Sequence, residues 1–265
     1  MKSPMFSVII PTLNEEKFLP KLLTSLVDQA NRDFEVIVVD GKSRDKTVAV
    51  AKTFIKRLPK LKIIISKKAS LPLQRNIGAR AAHGEWFMFL DADDVLLSHA
   101  LDRCRVYTRA HPTMKFFTSW FTPDGSTFGD VVWILFAIFF VESARNMKRQ
   151  IAPGPFIAVQ KDIFGKSKGF EEGRAYGEDQ EFSIRLWEQG VKLEILRESL
   201  YEYSLRRFRK EGALKMVQIY TIASIVGLLT KRAPRQLAGY IMGGHLYTKK
   251  KDQSKLQKLL KELFE

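Results

Sequence analysis

The apolar residues of this chain fall into short continuous runs separated by stripes of helical period. Phe6 to Ile10 reads as a strand stopped by Pro11. Asn14 is placed to cap the helix that follows, with Glu15 and Glu16 in its first turn. Phe18, Leu22 and Leu26, with Leu19, Leu23 and Val27 alongside, give that helix one core-facing stripe. A second strand, Phe34 to Val39, ends at Asp40-Gly41, and a helix over 46–58 and a strand over 62–66 follow. Pro72 opens another helix, Gly84 closes it, and Trp86 to Leu90 is a fourth strand. Strand and helix alternate, and each strand is apolar throughout. This pattern predicts an α/β fold, a mostly parallel sheet flanked by helices.

The second half is less regular. A basic amphipathic helix follows Ser98, then a strand at 115–120 and a turn at Pro123-Asp-Gly125. The apolar run Val131 to Val141 precedes Arg145, Lys148 and Arg149. Pro153-Gly154-Pro155 starts a strand through Val159, and a Gly165 to Gly169 loop follows. Gly177-Glu178-Asp179 leads into a helix closed by Gly190, and a last strand covers 191–196.

Ligands of parallel sheets bind beyond the carboxyl ends of the strands. Those ends carry Pro11 to Glu16, Asp40 to Asp45, and Asp91-Ala92-Asp93-Asp94, so polar and acidic groups converge on one edge. Asp91 and Asp93 alternate around a small alanine, and crowded carboxylates call for a cation or a proton. Hard oxygen ligands suit Mg²⁺ or Mn²⁺. Neither G-x-G-x-x-G nor G-x-x-x-x-G-K-[ST] occurs, so any phosphate must be held by a metal and basic side chains.

Composition adds a preference for anionic partners: 44 Lys and Arg against 29 Asp and Glu give a net charge of +15. Hydrophobic residues make up 45%, which argues against disorder. A single cysteine, Cys104, excludes an internal disulfide and fits a reducing compartment. Phe6 to Pro11 is strand-sized and is not read as a signal peptide. The four histidines stand singly, without metal-ligand spacing.

Four segments together resemble family 2 glycosyltransferases, nucleotide-sugar enzymes with the Rossmann-like GT-A fold. They are Val8 to Glu16, Val38 to Asp45, Gln74 to Gly78 with Phe89 to Asp94, and Gly177 to Asp179. The resemblance implies a catalytic domain over 1–205, with a donor-binding half, 1–97, and an acceptor half, 98–205. It implies that Pro11, Thr12, Asn14 and Glu15 lie at the donor nucleotide, that Asp40 bonds the base, and that Arg75 touches base or ribose. Asp93 would ligate Mn²⁺ or Mg²⁺ directly, with Ala92 between it and Asp91, which would meet the ribose or metal waters. Asp179 would be the base that deprotonates the acceptor, with Glu178 and Gly154 on the acceptor side. Gly41 stands where many members carry a second acid, and no Q-x-x-R-W motif occurs. The missing motif favours transfer of a single sugar. The resemblance implies a UDP- or GDP-type sugar donor and, as acceptor, a hydroxyl or a lipid-linked group such as a polyprenyl or dolichyl phosphate or a glycolipid.

Beyond the match, Arg206 and Arg207 could close over the donor diphosphate, because guanidinium pairs well with phosphate oxygens; a membrane-facing or solvated helix start is the other reading. Residues 206–265 are expected to form a basic, amphipathic or apolar helical C-terminal region. Within it, Met216 to Leu229 would span about 21 Å as a helix, short of a roughly 30 Å hydrocarbon core. That length fits either a buried helix or one lying on an anionic membrane. The expected location is cytoplasmic, at the membrane's cytoplasmic face. The competing function is a non-catalytic, basic GT-A-like protein that binds membrane or nucleic acid. Nucleic acid would want aromatics among the basic patches, where only Phe208 and Tyr247 stand.

Overall fold

The computed structural model describes residues 3–146 and 150–212. The reading of 216–229 and of most of the C-terminal region falls outside them. The first half alternates as expected: β1 (Phe6–Thr12), α1 (Leu19–Val27), β2 (Phe34–Asp40), α2 (Thr47–Thr53), β3 (Leu61–Ile65), α3 (Leu71–Ala81) and β4 (Trp86–Leu90). Then come β5 (Val95–Leu96), α4 (Ala100–Ala110), β6 (Phe116–Pro123), α5 (Phe128–Asn146), β7 (Phe156–Gln160) and α6 (Lys161–Lys166). The last described elements are α7 (Glu178–Glu188), β8 (Leu193–Tyr203) and α8 (Arg206–Glu211).

These strands form one sheet in the order β3-β2-β1-β4-β7-β6-β8-β5. The four strands of the first half are parallel, as are β6 and β8. The sheet is nevertheless mixed, because β7 runs antiparallel to both β4 and β6, and β5 antiparallel to β8. β1, β2, β3, β4, β6 and β8 therefore share one direction, as a mostly parallel sheet requires, and β7 and β5 are the reversed strands, which an apolar run cannot reveal because it carries no direction. The reversal has a use: Phe156, at the start of β7, pairs with Leu90, at the end of β4. The Pro153-Gly154-Pro155 entry to β7 therefore lands on the edge where the parallel strands end.

Each central strand is buried on both faces, which is why its sequence is continuously apolar. Val8, Ile10, Met88 and Leu90 pack on one side with α1, while Ile9, Phe87 and Phe89 pack on the other with α6 and α7. Gly84 lies three residues beyond the end of α3, and its N–H donates to Ser7 Oγ at 2.8 Å. A Cβ there would sit 2.6 Å from the Ser7 backbone nitrogen. Backbone cannot yield as a side chain does, so Gly84→Ala is expected to lower stability by about 1–3 kcal/mol in a urea titration.

Candidate active site

The loops after β1 and β2 are bound to each other. Thr12 Oγ1 and Ser43 Oγ donate to Asp40 Oδ1 at 3.2 and 2.5 Å, and the Ser43 N–H donates to Asp40 Oδ2 at 2.8 Å. Asn14 does not cap α1, which begins at Leu19 with Pro20 in its first turn. It adopts a left-handed φ of 56°, its N–H donates to Ser43 Oγ at 2.8 Å, and its Oδ1 accepts from the Arg44 N–H at 2.7 Å. A left-handed conformation is tolerated by asparagine better than by most side chains. The two loops border a cavity of about 770 Å³ whose lining includes Leu13, Asn14, Lys42, Arg44, Asp45 and Ala69. Pro11, Thr12 and Asp40 are buried in the sheet beside it, so the loop residues after them form its wall.

The acidic turn after β4 splits into three environments. Asp91, a third exposed, accepts from Arg75 Nη2 at 3.0 Å. Ala92 is buried. Asp93 Oδ2 lies 2.8 Å from Arg206 Nε, and burial raises its pKa while Arg206 opposes the rise. Asp94 is buried, with Oδ1 accepting from the Ser204 N–H at 3.4 Å and Oδ2 without a partner. Arg206 holds more than Asp93: its Nη1 and Nη2 donate to the two oxygens of Glu15, both at 2.8 Å, and its guanidinium stands 4.3 Å from the Phe18 ring centroid. The expected closure of Arg206 over a diphosphate is therefore not its position here; it ties the first loop, the acidic turn and α8 together. Burial lifts the Glu15 pKa to about 7 against the pull of that guanidinium. Arg207 follows on α8, partly buried.

Arg75 is the second anchor. The sequence reading puts it at the base or ribose; the structure buries it completely beneath the acidic turn. Nη1 donates to Glu178 Oε1 at 3.0 Å, and Nη2 donates to both Asp91 Oδ1 and the Gly154 carbonyl, at 3.0 and 2.9 Å. The guanidinium also lies 5.3 Å from the Phe170 ring centroid. Asp179 completes the cluster: Oδ2 accepts from the Gly154 N–H at 2.9 Å and Oδ1 from the Gln180 N–H at 2.8 Å. Gly177, at a left-handed φ of 67°, turns the chain into α7 and presents both acids. Burial raises the pKa of both, Glu178 to about 7, and this outweighs the helix N-terminus that would lower them. A Cβ at Gly154 would lie 3.0 Å from Asp179 Oδ2, so the position keeps that approach open.

Among the described residues no three His, Cys, Asp or Glu side chains gather to hold a metal alone. Asp91 and Asp93 are two hard carboxylates at one turn, each with an oxygen not engaged by its arginine. Mg²⁺ and Mn²⁺ are commonly held by one or two carboxylates plus substrate phosphate and water, so this donor set fits such an ion.

A parallel α/β half, a reversed strand and an acidic cluster at the strand ends thus frame the candidate site. The sequence model described as glycosyl transferase family 2 matches residues 7–162, and the chain belongs to that family. It is 36% identical over 135 residues to a "PGL/p-HBAD biosynthesis glycosyltransferase" of Mycobacterium bovis (strain BCG / Pasteur 1173P2), covering 50% of this chain and 48% of that one. It is 26% identical over 214 residues to the poly(ribitol-phosphate) beta-N-acetylglucosaminyltransferase TarS of Staphylococcus aureus (strain Mu50 / ATCC 700699), covering 76% of this chain and 36% of TarS. The chain thus spans about half the length, or less, of these relatives. Among solved structures, S. aureus TarS 1-349 in complex with UDP-GlcNAc superposes with a TM-score of 0.62 at 22% identity, over 76% of this chain and 58% of that one. The mannosyltransferase PcManGT from Pyrobaculum calidifontis, in complex with GDP-Man and Mn²⁺, gives 0.63 at 20%, over 88% and 67%. At these identities the likeness shows the shared fold.

Proposed function

We propose that the chain is a metal-dependent inverting glycosyltransferase that moves one sugar from a UDP- or GDP-type donor to a hydroxyl or lipid-linked acceptor. The observation that carries this reading is Arg75, which joins donor-side Asp91 to acceptor-side Glu178 while Asp179 is held against Gly154. The two carboxylate groups to which this reading gives separate tasks are thereby tied to one guanidinium. The UDP-GlcNAc and GDP-Man in the related solved structures support a nucleotide-sugar donor. Residues 1–97 would supply its binding loops and 98–205 the acceptor face.

In this reading the nucleoside enters the cavity walled by Leu13, Asn14 and Lys42, and Arg44 lies on the same wall to face negative charge. A divalent cation, Mn²⁺ or Mg²⁺, would be held by Asp93 and Asp91 and would supply Lewis-acid stabilisation of the leaving diphosphate. Asp179 takes the proton from the acceptor hydroxyl as its oxygen forms a bond to the anomeric carbon. The bond from that carbon to the diphosphate breaks in the same displacement, and the electron pair leaves with the nucleoside diphosphate. Glu178 balances Arg75 and does not touch the acceptor.

A thermal-shift panel of UDP, GDP, CDP and dTDP, each with and without Mn²⁺, tests the donor half. A ligand at 100 times its Kd stabilises by about 2.7 kcal/mol, so one nucleotide should raise the Tm in the presence of the metal. Asp93→Ala is expected to abolish the metal-dependent part of that shift. A flat panel for the wild type would favour the non-catalytic binder instead.

A further inference from the structure

Helix α5 carries an apolar face that the fold leaves uncovered among the described residues. Ile134 and Ala144 are buried against the rest of the protein, whereas Phe128, Val131, Val132, Leu135, Phe136 and Phe139 are exposed. Their spacing of three and four residues puts them on one stripe, about 17 Å long. Phe128, Leu135 and Phe139 are 86%, 62% and 68% exposed, far beyond the scattered apolar residues of an ordinary surface. The sole charged residue from Phe128 to Phe139, Asp130, accepts from the Thr127 N–H and lies 3.6 Å from Arg209.

We propose that this stripe seats the protein on an anionic membrane surface, with α5 lying in the interface plane. Among the described residues no helix is long and apolar enough to cross a membrane, so the face suits lying on one. Charge selects this occupant. The described chain ends at Gly212, just after α8, whose Phe208 packs on α5, and the residues that follow carry ten Lys and Arg against three Asp and Glu. Lys148 and Arg149 follow the other end of α5 in sequence. Apolar side chains inserted between headgroups, with basic residues following both α5 and α8 in sequence, match a negatively charged leaflet.

The placement also ties the membrane to the site. Phe208 packs on Trp133 of α5 with ring centroids 4.4 Å apart, and Arg206, two residues earlier on α8, binds Glu15 and Asp93. One short helix therefore links α5 to the acidic turn. This arrangement selects the lipid-linked acceptor from the alternatives above; that choice rests on the transferase reading, whereas the membrane seating does not.

The test is sedimentation of the full chain with phosphatidylcholine vesicles, with and without phosphatidylglycerol. The wild type should sediment with the phosphatidylglycerol vesicles. The double variant Leu135→Glu, Phe139→Glu should lose about tenfold or more in apparent affinity, as expected when two apolar side chains no longer bury. Its Tm and its nucleotide-dependent thermal shift should stay at wild-type values, because both positions face outward. Phe128→Ser, at the most exposed position, gives a second variant with a smaller loss should the double variant fold poorly. Vesicle binding unchanged in a folded variant would overturn the proposal. So would a wild type that ignores vesicles while the variant melts early, which would mean that the chain's own later residues cover α5. A wild-type dimer that the variant dissociates, without vesicle binding, would assign the stripe to a second copy. A flat nucleotide panel alongside intact vesicle binding would sink the transferase reading and leave this one standing.

Discussion

Replacing Arg75 by methionine is expected to lower the stability of the protein by about 3–5 kcal/mol, the range found when one partner of a buried ion network is removed. Methionine fills much of the same space, so the loss would be electrostatic. The guanidinium is completely buried and provides hydrogen bonds to Asp91, Glu178 and the Gly154 carbonyl at 2.9–3.0 Å. Without it, a buried Glu178 and a partly buried Asp91 face each other and Asp179 with no cation among them, and the Gly154 carbonyl loses its donor. Urea denaturation measures the change as a shift in midpoint at constant slope. Adding Glu178→Gln to Arg75→Met should recover part of the loss, since it removes one of the stranded charges, and a double-mutant cycle reports the coupling. If Arg75→Met melted like the wild type, the cluster would have to be held by something other than this arginine.

Much of the fold was legible because its physics is local. β1, β2 and β4 are covered on both faces, so Val8 to Ile10, Val36 to Val39 and Phe87 to Leu90 are apolar without alternation. Strand direction was not legible: nothing in Phe156 to Val159 distinguishes a reversed strand from a parallel one. The site shows the same division. Asp40, Asp91, Asp93 and Asp179 could be placed at strand or helix ends from sequence, but their partners could not. Arg206 and Glu15 stand 191 residues apart and meet only because β8 and α8 bring the chain back over β1. Ser43 was missed as the bridge between Asn14 and Asp40, and its one signal was a hydroxyl three residues past the second strand's acid. The apolar run of α5 was visible as composition, yet which of its residues face outward depends on what packs against Ile134 and Ala144.

Asp179→Asn is expected to reduce kcat by about 10²–10⁴ while leaving donor affinity near the wild-type value. The substitution keeps size and shape but removes the group that accepts the acceptor's proton. Donor affinity should survive because the Asp179 carboxylate is bonded to the Gly154 and Gln180 backbone N–H groups, whereas the proposed nucleotide cavity is walled by the loops after β1 and β2. The wild-type pH profile supplies an independent check. Burial raises the Asp179 pKa above the usual aspartate range, against the lowering by Arg75 and the backbone hydrogen bonds. The active form is the carboxylate, so the rate should fall as pH drops through that raised pKa, at a higher pH than an exposed aspartate would give. Glu178 is lifted to about 7 beside it, with Asp179 contributing to the rise, so the acid limb reports the pair and not one residue. Glu178→Gln removes the second titrating group, so the acid limb of that variant should report Asp179 alone. Asp179→Asn should abolish the limb along with most of the rate. A rate unchanged in Asp179→Asn would exclude it as the base. Glu178 could not simply replace it, because its Oε1 is held by the guanidinium that organises the site.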